Sequence, residues 1–246
     1  MAAMSGMQVD LRKKYFPDMS GEGRRQVLGK ICFSAKKGEF LAIVGPSGCG
    51  KTTLLNLVAG LDADYEGNIA REGMAEKAMP NIGYVFQTPR LLPWRTVFEN
   101  VCLVLKEPAP KDGFVEKLLA EAGLTEFRNA YPEKLSLGQQ RRAAIVRALA
   151  IAPDLLLMDE PFVSLDRPTA ERLRRLLLDI WGARPTTVLF VTHDLDEAIV
   201  LADRVLVLSD SPATLLADVP IAVPRDERTA EVLAEFRQRL QLLEKP

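Results

Sequence analysis

The stretch Gly45–Thr52, GPSGCGKT, is the part of this chain best suited to holding a phosphate group. It fits the pattern G-x-x-x-x-G-K-[ST] at every fixed position and follows directly on the apolar run Phe40–Val44. Gly45, Gly48 and Gly50 let consecutive backbone N–H groups curl around phosphate oxygens without side-chain obstruction. Pro46, Ser47 and Cys49 fill the loop between them, and no catalytic role is expected of Cys49. Lys51 supplies a point charge for the β- and γ-phosphates, and the Thr52 hydroxyl suits Mg²⁺. A helix opening on Lys51, Thr52 and Thr53 would turn its positive end toward the anion. A glycine-rich turn is the plain alternative, and the order strand, loop, helix weighs against it.

The second chemical signal is LLLMDEP, Leu155–Pro161. Four apolar residues ending in a carboxylate describe a buried strand that delivers Asp159 at its C-terminal edge. In phosphate-loop ATPases an aspartate so placed helps to hold Mg²⁺. Glu160 follows at once, where a carboxylate can polarise an attacking water as a general base. By itself such a strand end is often a solvated turn; beside an upstream phosphate loop it points to nucleotide hydrolysis.

A third segment, LSLGQQRR from Leu135 to Arg142, narrows the class. Here the chain resembles the ATP-binding cassette family, whose signature is usually written LSGGQ. The resemblance implies that Ser136, Gly138 and Gln139 open a helix whose N-terminus caps the γ-phosphate bound by the opposite subunit of a dimer. Leu137 stands where the family usually has glycine, a departure that still leaves the backbone able to serve. Other motifs fall in the family's order. Gln87 closes the run IGYVFQ and matches the glutamine that touches Mg²⁺ and the attacking water. Asp166 closes SLD, Ser164–Asp166, which resembles the loop that communicates across the dimer. His193, the only histidine, ends TVLFVTH and matches the switch histidine near the γ-phosphate. Tyr15, with Phe16 beside it, is the candidate for the aromatic that stacks on adenine.

These residues need a scaffold, and short apolar runs alternating with longer amphipathic stretches supply one. The pattern predicts strands near Ile31–Ala35, Phe40–Val44, Ile82–Phe86, Leu155–Met158, Thr187–Val191 and Arg204–Leu208. Helices are predicted at Lys51–Ala59, Thr96–Leu105, Gly113–Ala122, Leu137–Ala150, Thr169–Trp181, Leu195–Leu201 and Thr229–Leu243. The fold class is α/β. The resemblance implies a phosphate-loop NTPase core with a mainly parallel sheet, an N-terminal antiparallel β portion and an inserted helical subdomain at about 88–152. No internal repeat is visible, so residues 1–246 are read as a single nucleotide-binding domain ending in a helix at about 229–243.

Composition bounds the partners. Hydrophobic residues make up 48% and charged residues 26%, the balance of a globular protein rather than a disordered one. Lys+Arg total 32 against 33 Asp+Glu, so no overall basic field recruits nucleic acid. Three scattered cysteines form neither a disulfide framework nor a metal pattern, in keeping with a reducing compartment. No apolar stretch approaches the roughly 20 residues that span a bilayer, and the N-terminus lacks the apolar core of a secretory signal. Any membrane role is therefore expected to come through a partner.

The resemblance supplies those partners: a second copy of the subunit, transmembrane permease subunits, and indirectly a solute-binding protein, with ATP and Mg²⁺ as cofactors. It implies a peripheral position on the cytoplasmic face of the inner or plasma membrane. The segment FQTPRLLPWRTVFENV, with DEPFVSLD and THDLDEAIVLADRVLVLS, is similar to importers of nitrate, alkanesulfonates and taurine. An exporter or lipid-transport ATPase is the nearest alternative, and a phosphate-loop small-molecule kinase is the alternative from another class.

Overall fold

A computed structural model of the chain describes residues 6–18, 23–71, 80–105, 113–163, 165–184 and 186–244. The first strands are β1 (Gly6–Pro17), β2 (Arg24–Leu28), β3 (Ile31–Lys36) and β4 (Phe40–Val44), followed by α1 (Lys51–Ala59) and β5 (Glu66–Ala70). The middle of the chain forms β6 (Ile82–Val85), α2 (Val97–Cys102), α3 (Phe114–Glu121), α4 (Leu137–Ala150), β7 (Leu155–Asp159) and α5 (Arg167–Ala183). The last elements are β8 (Thr187–Val191), α6 (Leu195–Leu201), β9 (Arg204–Leu208), β10 (Leu215–Pro220) and α7 (Ala230–Glu244). Internal contacts divide the chain into two compact units, one of residues 1–78 with 187–246 and one of residues 79–186.

In the first unit β4 lies between β8 and β9, parallel to both, and β10 pairs antiparallel with β9. Every residue of β4 and β8 is buried, as expected of strands covered on both faces. Phe40 of β4 meets Phe190 of β8 edge to face, with ring centroids 5.5 Å apart. Four further strands make an antiparallel sheet. The first half of β1 pairs with β3 and with β5, and its last four residues pair with β2. Met7, Val9 and Leu11 are buried while Gln8, Asp10 and Arg12 are exposed, the alternation of a strand with one face on a core.

In the second unit β6 and β7 pair in parallel, with Ile82 opposite Leu155 and Val85 opposite Met158. Helix α4 packs against β6, α2 and α3. Its apolar face runs through Ala143, Ala144, Val146 and Ala150, small residues that admit close approach of the strand. A Cβ added to Gly83 of β6 would come within 2.6 Å of the Ala148 carbonyl, so the contact requires glycine.

The located strands and helices are present, with ends displaced by a few residues. The helix predicted at Thr96–Leu105 is shorter, Val97–Cys102, because Thr96 caps it and the chain turns at Leu103–Leu105. The strands β1, β2, β5 and β10 were not located individually from the sequence.

Candidate active site

The phosphate loop runs from β4 into α1 within the first unit. Gly50 precedes α1 with φ 114°, and a Cβ there would come within 2.6 Å of Leu28 Cδ2. Both the left-handed backbone and the close approach of β2 therefore demand glycine. Gly48 also has positive φ, 77°, yet a Cβ on it would meet nothing within 4 Å. Its requirement is conformational, and the space beside it is open. Lys51 is buried, and its Nζ donates to the Gly45 carbonyl at 2.7 Å and the Pro46 carbonyl at 2.8 Å. The ammonium is thus folded into the loop on two neutral carbonyl acceptors, which leave its positive charge uncompensated by these bonds and suited to an anion. Ser47 and Thr52 are exposed, Pro46 and Thr53 half-buried. Cys49 is buried, and burial pushes its thiol above the ordinary value, so it is held as a neutral packing group.

His193 belongs to the same unit and is exposed at the end of β8. The residues on either side of it are tightly fixed. Thr192 donates its hydroxyl to Glu197 at 2.7 Å in a buried pair, and its amide to the Ile43 carbonyl of β4. Asp194 caps α6, accepting from the amides of Asp196 and Glu197. Tyr15 is half-buried at the far end of β1, next to an irregularity in the pairing with β2. Phe16 is exposed at 39%, with Lys14 Nζ 4.7 Å from its ring centroid.

Gln87, Asp159, Glu160, the signature and Asp166 lie in the second unit. Asp159 ends β7 and is 2% exposed. Glu160 follows with φ 49°, a left-handed conformation that a side-chain-bearing residue adopts only at a cost of order 1–3 kcal/mol. Gln87 Nε2 donates to Glu160 Oε2 at 3.3 Å, so these two predicted residues meet directly. They line a small pocket with Val85, Pro89, Arg141 and Pro161. Tyr84 and Phe86 stack at 4.1 Å, and the Arg90 guanidinium lies 4.0 Å from the Phe86 ring, fixing the strand end that carries Gln87.

Ser136 caps α4 through a reciprocal capping box. Its Oγ accepts from the Gln139 amide at 3.2 Å, and Gln139 Oε1 accepts from the Ser136 amide at 2.8 Å. The Ser136 hydroxyl proton is not used by the cap. Leu137 is exposed at the first helical position, so replacing glycine there leaves the cap intact. Gly138 is half-buried, and a Cβ would come within 3.2 Å of Leu165 Cδ2. Asp166 caps α5 through the Thr169 amide, and hydrogen bonding from the Thr169 side chain, with that amide, holds its carboxyl below the usual range. Ser164, of the same motif, lies outside the described residues.

Three arginines of α4 escaped the sequence reading. Arg141 donates to the Val163 carbonyl and, at 3.5 Å, to that of Glu160. Arg142 donates to the Ala122 and Gly123 carbonyls. Arg147 donates to those of Pro89 and Arg90, bracing the segment after Gln87. Burial lowers the pKa of all three. A charged residue in an amphipathic helix reads as solvated surface, so only the fold exposes these contacts.

Hard oxygen donors suited to a metal stand in each unit: the Thr52 hydroxyl in the first, and the Asp159 carboxylate and Gln87 amide in the second. Donors of this kind suit Mg²⁺, which keeps phosphate oxygens and water among its ligands. Among the described residues no group of three or more His, Cys, Asp or Glu side chains could hold a metal by itself.

Residues 28–163 match the family model described as ABC transporter. The chain is 42% identical, over 89% of its length and 88% of the relative's, to the aliphatic sulfonates import ATP-binding protein SsuB of Bacillus licheniformis. It is 44% identical to SsuB 2 of Burkholderia cenocepacia, covering 89% of this chain and 82% of that protein. Among solved structures it is similar to the ATP-binding cassette MJ0796, in a dimeric post-hydrolysis state bound to ADP and Pi. The TM-score is 0.78 at 30% identity, with 89% of this chain and 100% of that one covered. The chain belongs to the ABC transporter family.

Proposed function

We propose that this chain is the ATP-binding and ATP-hydrolysing subunit of a transporter that imports small anionic solutes, organosulfonates foremost. The observation that carries this reading is the combination of an intact phosphate loop and a Gln87–Glu160 pair with sequence likeness, over most of both lengths, to sulfonate import subunits. Lys51 and the loop amides bind the phosphates, Tyr15 stacks on adenine, and Thr52, Gln87 and Asp159 would hold Mg²⁺. That ion would neutralise phosphate charge. Glu160 accepts a proton from the attacking water, and His193 steadies the γ-phosphate.

Among the described residues no helix is long and apolar enough to cross a membrane. Work on a solute therefore passes through permease subunits, with a solute-binding protein delivering cargo. Pro93 and Trp94 stand exposed in the segment after Gln87, the apolar surface on which a permease docks. On this reading the subunit sits peripherally on the cytoplasmic face. Two copies close around two ATP molecules, each phosphate loop facing the other copy's Ser136, Gly138 and Gln139, with Asp166 communicating between copies.

Glu160→Gln removes the base and keeps the shape, so it is expected to bind ATP, turn over at least about 100-fold more slowly, and elute as a dimer at saturating ATP. A purely monomeric variant under those conditions would count against the clamp.

A further inference from the structure

Helix α6 follows His193 directly and has seven residues, too few to be stable alone. Four backbone carbonyls at its C-terminal end need donors from outside the helix. All four receive them from two arginines of the chain beyond β10. Arg228 donates through one terminal nitrogen to the carbonyls of Ile199 at 2.6 Å, Val200 at 3.0 Å and Ala202 at 2.9 Å. Arg225 donates through Nε to the remaining one, Leu201, at 2.9 Å. Arg228 Nε is anchored on the Val223 carbonyl, and Arg225 also pairs with Asp203 at 2.7 Å. At the other end of α6, Arg237 of α7 grips both carboxylate oxygens of Asp196. Between these ends α7 packs on α6, with Leu240 fully buried.

Burial pulls the Arg228 guanidinium down to about 10, which leaves it charged at physiological pH. A half-buried cation whose hydrogen bonds go to carbonyls holds position through its fork of donors, each bond charge-assisted. The same helix is tied to His193 at its start through the Asp194 cap and the Thr192–Glu197 bond. A shift of α6 therefore moves the histidine segment.

We propose that the segment Arg225–Arg237 is a strap that fixes α6 and through it the position of His193, making Arg228 a positioning residue for ATP hydrolysis. The proposal rests on the reading of His193 as a group acting at the γ-phosphate. Nucleotide binding should be spared, because the contacts of the strap all lie beyond the phosphate loop.

The test is a double-mutant cycle on ATP turnover and on the dissociation constant of a fluorescent ATP analogue. Arg228→Met is expected to lower kcat about tenfold in the wild-type background with affinity within about twofold. In the His193→Ala background it should lower the residual kcat no further. Arg228→Lys, which keeps the charge but loses the planar fork, should fall between. An equal fold-loss from Arg228→Met in both backgrounds, or no loss in the first, overturns the strap while leaving His193 in the site. Unchanged turnover in His193→Ala alone overturns the underlying reading, and the strap with it. Should Arg228→Met not fold, Arg228→Lys in the two backgrounds decides the question by the same comparison.

Discussion

Lys14 is 2% exposed although Arg12 and Lys13, the two residues before it, face solvent. Its ammonium is bonded to Asp62 at 2.8 Å and to the Asp64 carbonyl at 2.7 Å, fixing β1 to the chain beyond α1 one residue before Tyr15. Burial alone would raise the Asp62 carboxyl, but hydrogen bonds from Lys14 and the Asp64 amide outweigh it and hold the pKa below the ordinary value. Lys14→Met is expected to cost about 1–3 kcal/mol at neutral pH, measured by denaturant unfolding, because it leaves acceptors without their donor. A carboxyl with a lowered folded-state pKa stabilises above its unfolded pKa and loses that contribution as pH falls through the folded one. The difference between variant and wild type should therefore narrow below the ordinary aspartate range, about pH 4. A gap that stays constant to pH 2 would contradict the ion-pair explanation. At this scale the fixed motif positions were legible, because glycine, lysine and carboxylate are chosen by chemistry at set spacings. Lys14 was not, since a lysine among lysines carries no sign of burial.

Asn100 shows the same limit at the scale of an element. It is wholly buried in α2, where its side chain accepts from the Leu92 amide at 2.7 Å and donates to the carbonyls of Leu92, Arg95 and Thr96. One amide thus shapes the loop that presents Trp94, which is 70% exposed. Asn100→Ala is expected to destabilise by about 2–3 kcal/mol and to free the Trp94 segment, because several loop groups lose their partner at once. Unfolding curves and Trp fluorescence anisotropy read both effects. A loss below about 1 kcal/mol would mean that the loop holds itself. The helices α4 and α5 and the strands β4 and β7 were legible from periodicity and from continuous apolar runs. Strand β1 was harder to place, because QVDLRKKYF carries four charges and its register depends on pairing with three distant partners. The strap across α6 was likewise hidden: Thr229–Leu243 reads as a terminal amphipathic helix, and nothing in its pattern reveals that Arg225 and Arg228 end on carbonyls of α6.

For the whole molecule, the family and its chemistry were readable because six motifs keep one order along the chain. The inserted helical subdomain expected at about 88–152 and the single-domain reading remain proposals about organisation, alongside the two compact units of internal contacts. Two-site operation makes a further demand on the molecule as an assembly. Ser136→Ala impairs the capping helix while Lys51→Ala impairs the phosphate loop. If each site draws on both copies, mixing the two inactive variants should restore part of the ATPase rate, by forming one intact composite site. A mixture as inactive as its components would argue for sites that work only as a pair or within one copy.

The most direct measurement is uptake of labelled alkanesulfonate, taurine and nitrate by cells whose only copy of this subunit carries Glu160→Gln. Selective loss of sulfonate uptake, restored by the wild-type chain, is the predicted result. Unchanged uptake of all three solutes, with ATP hydrolysis by the purified wild-type protein intact, would contradict the importer and turn attention to export.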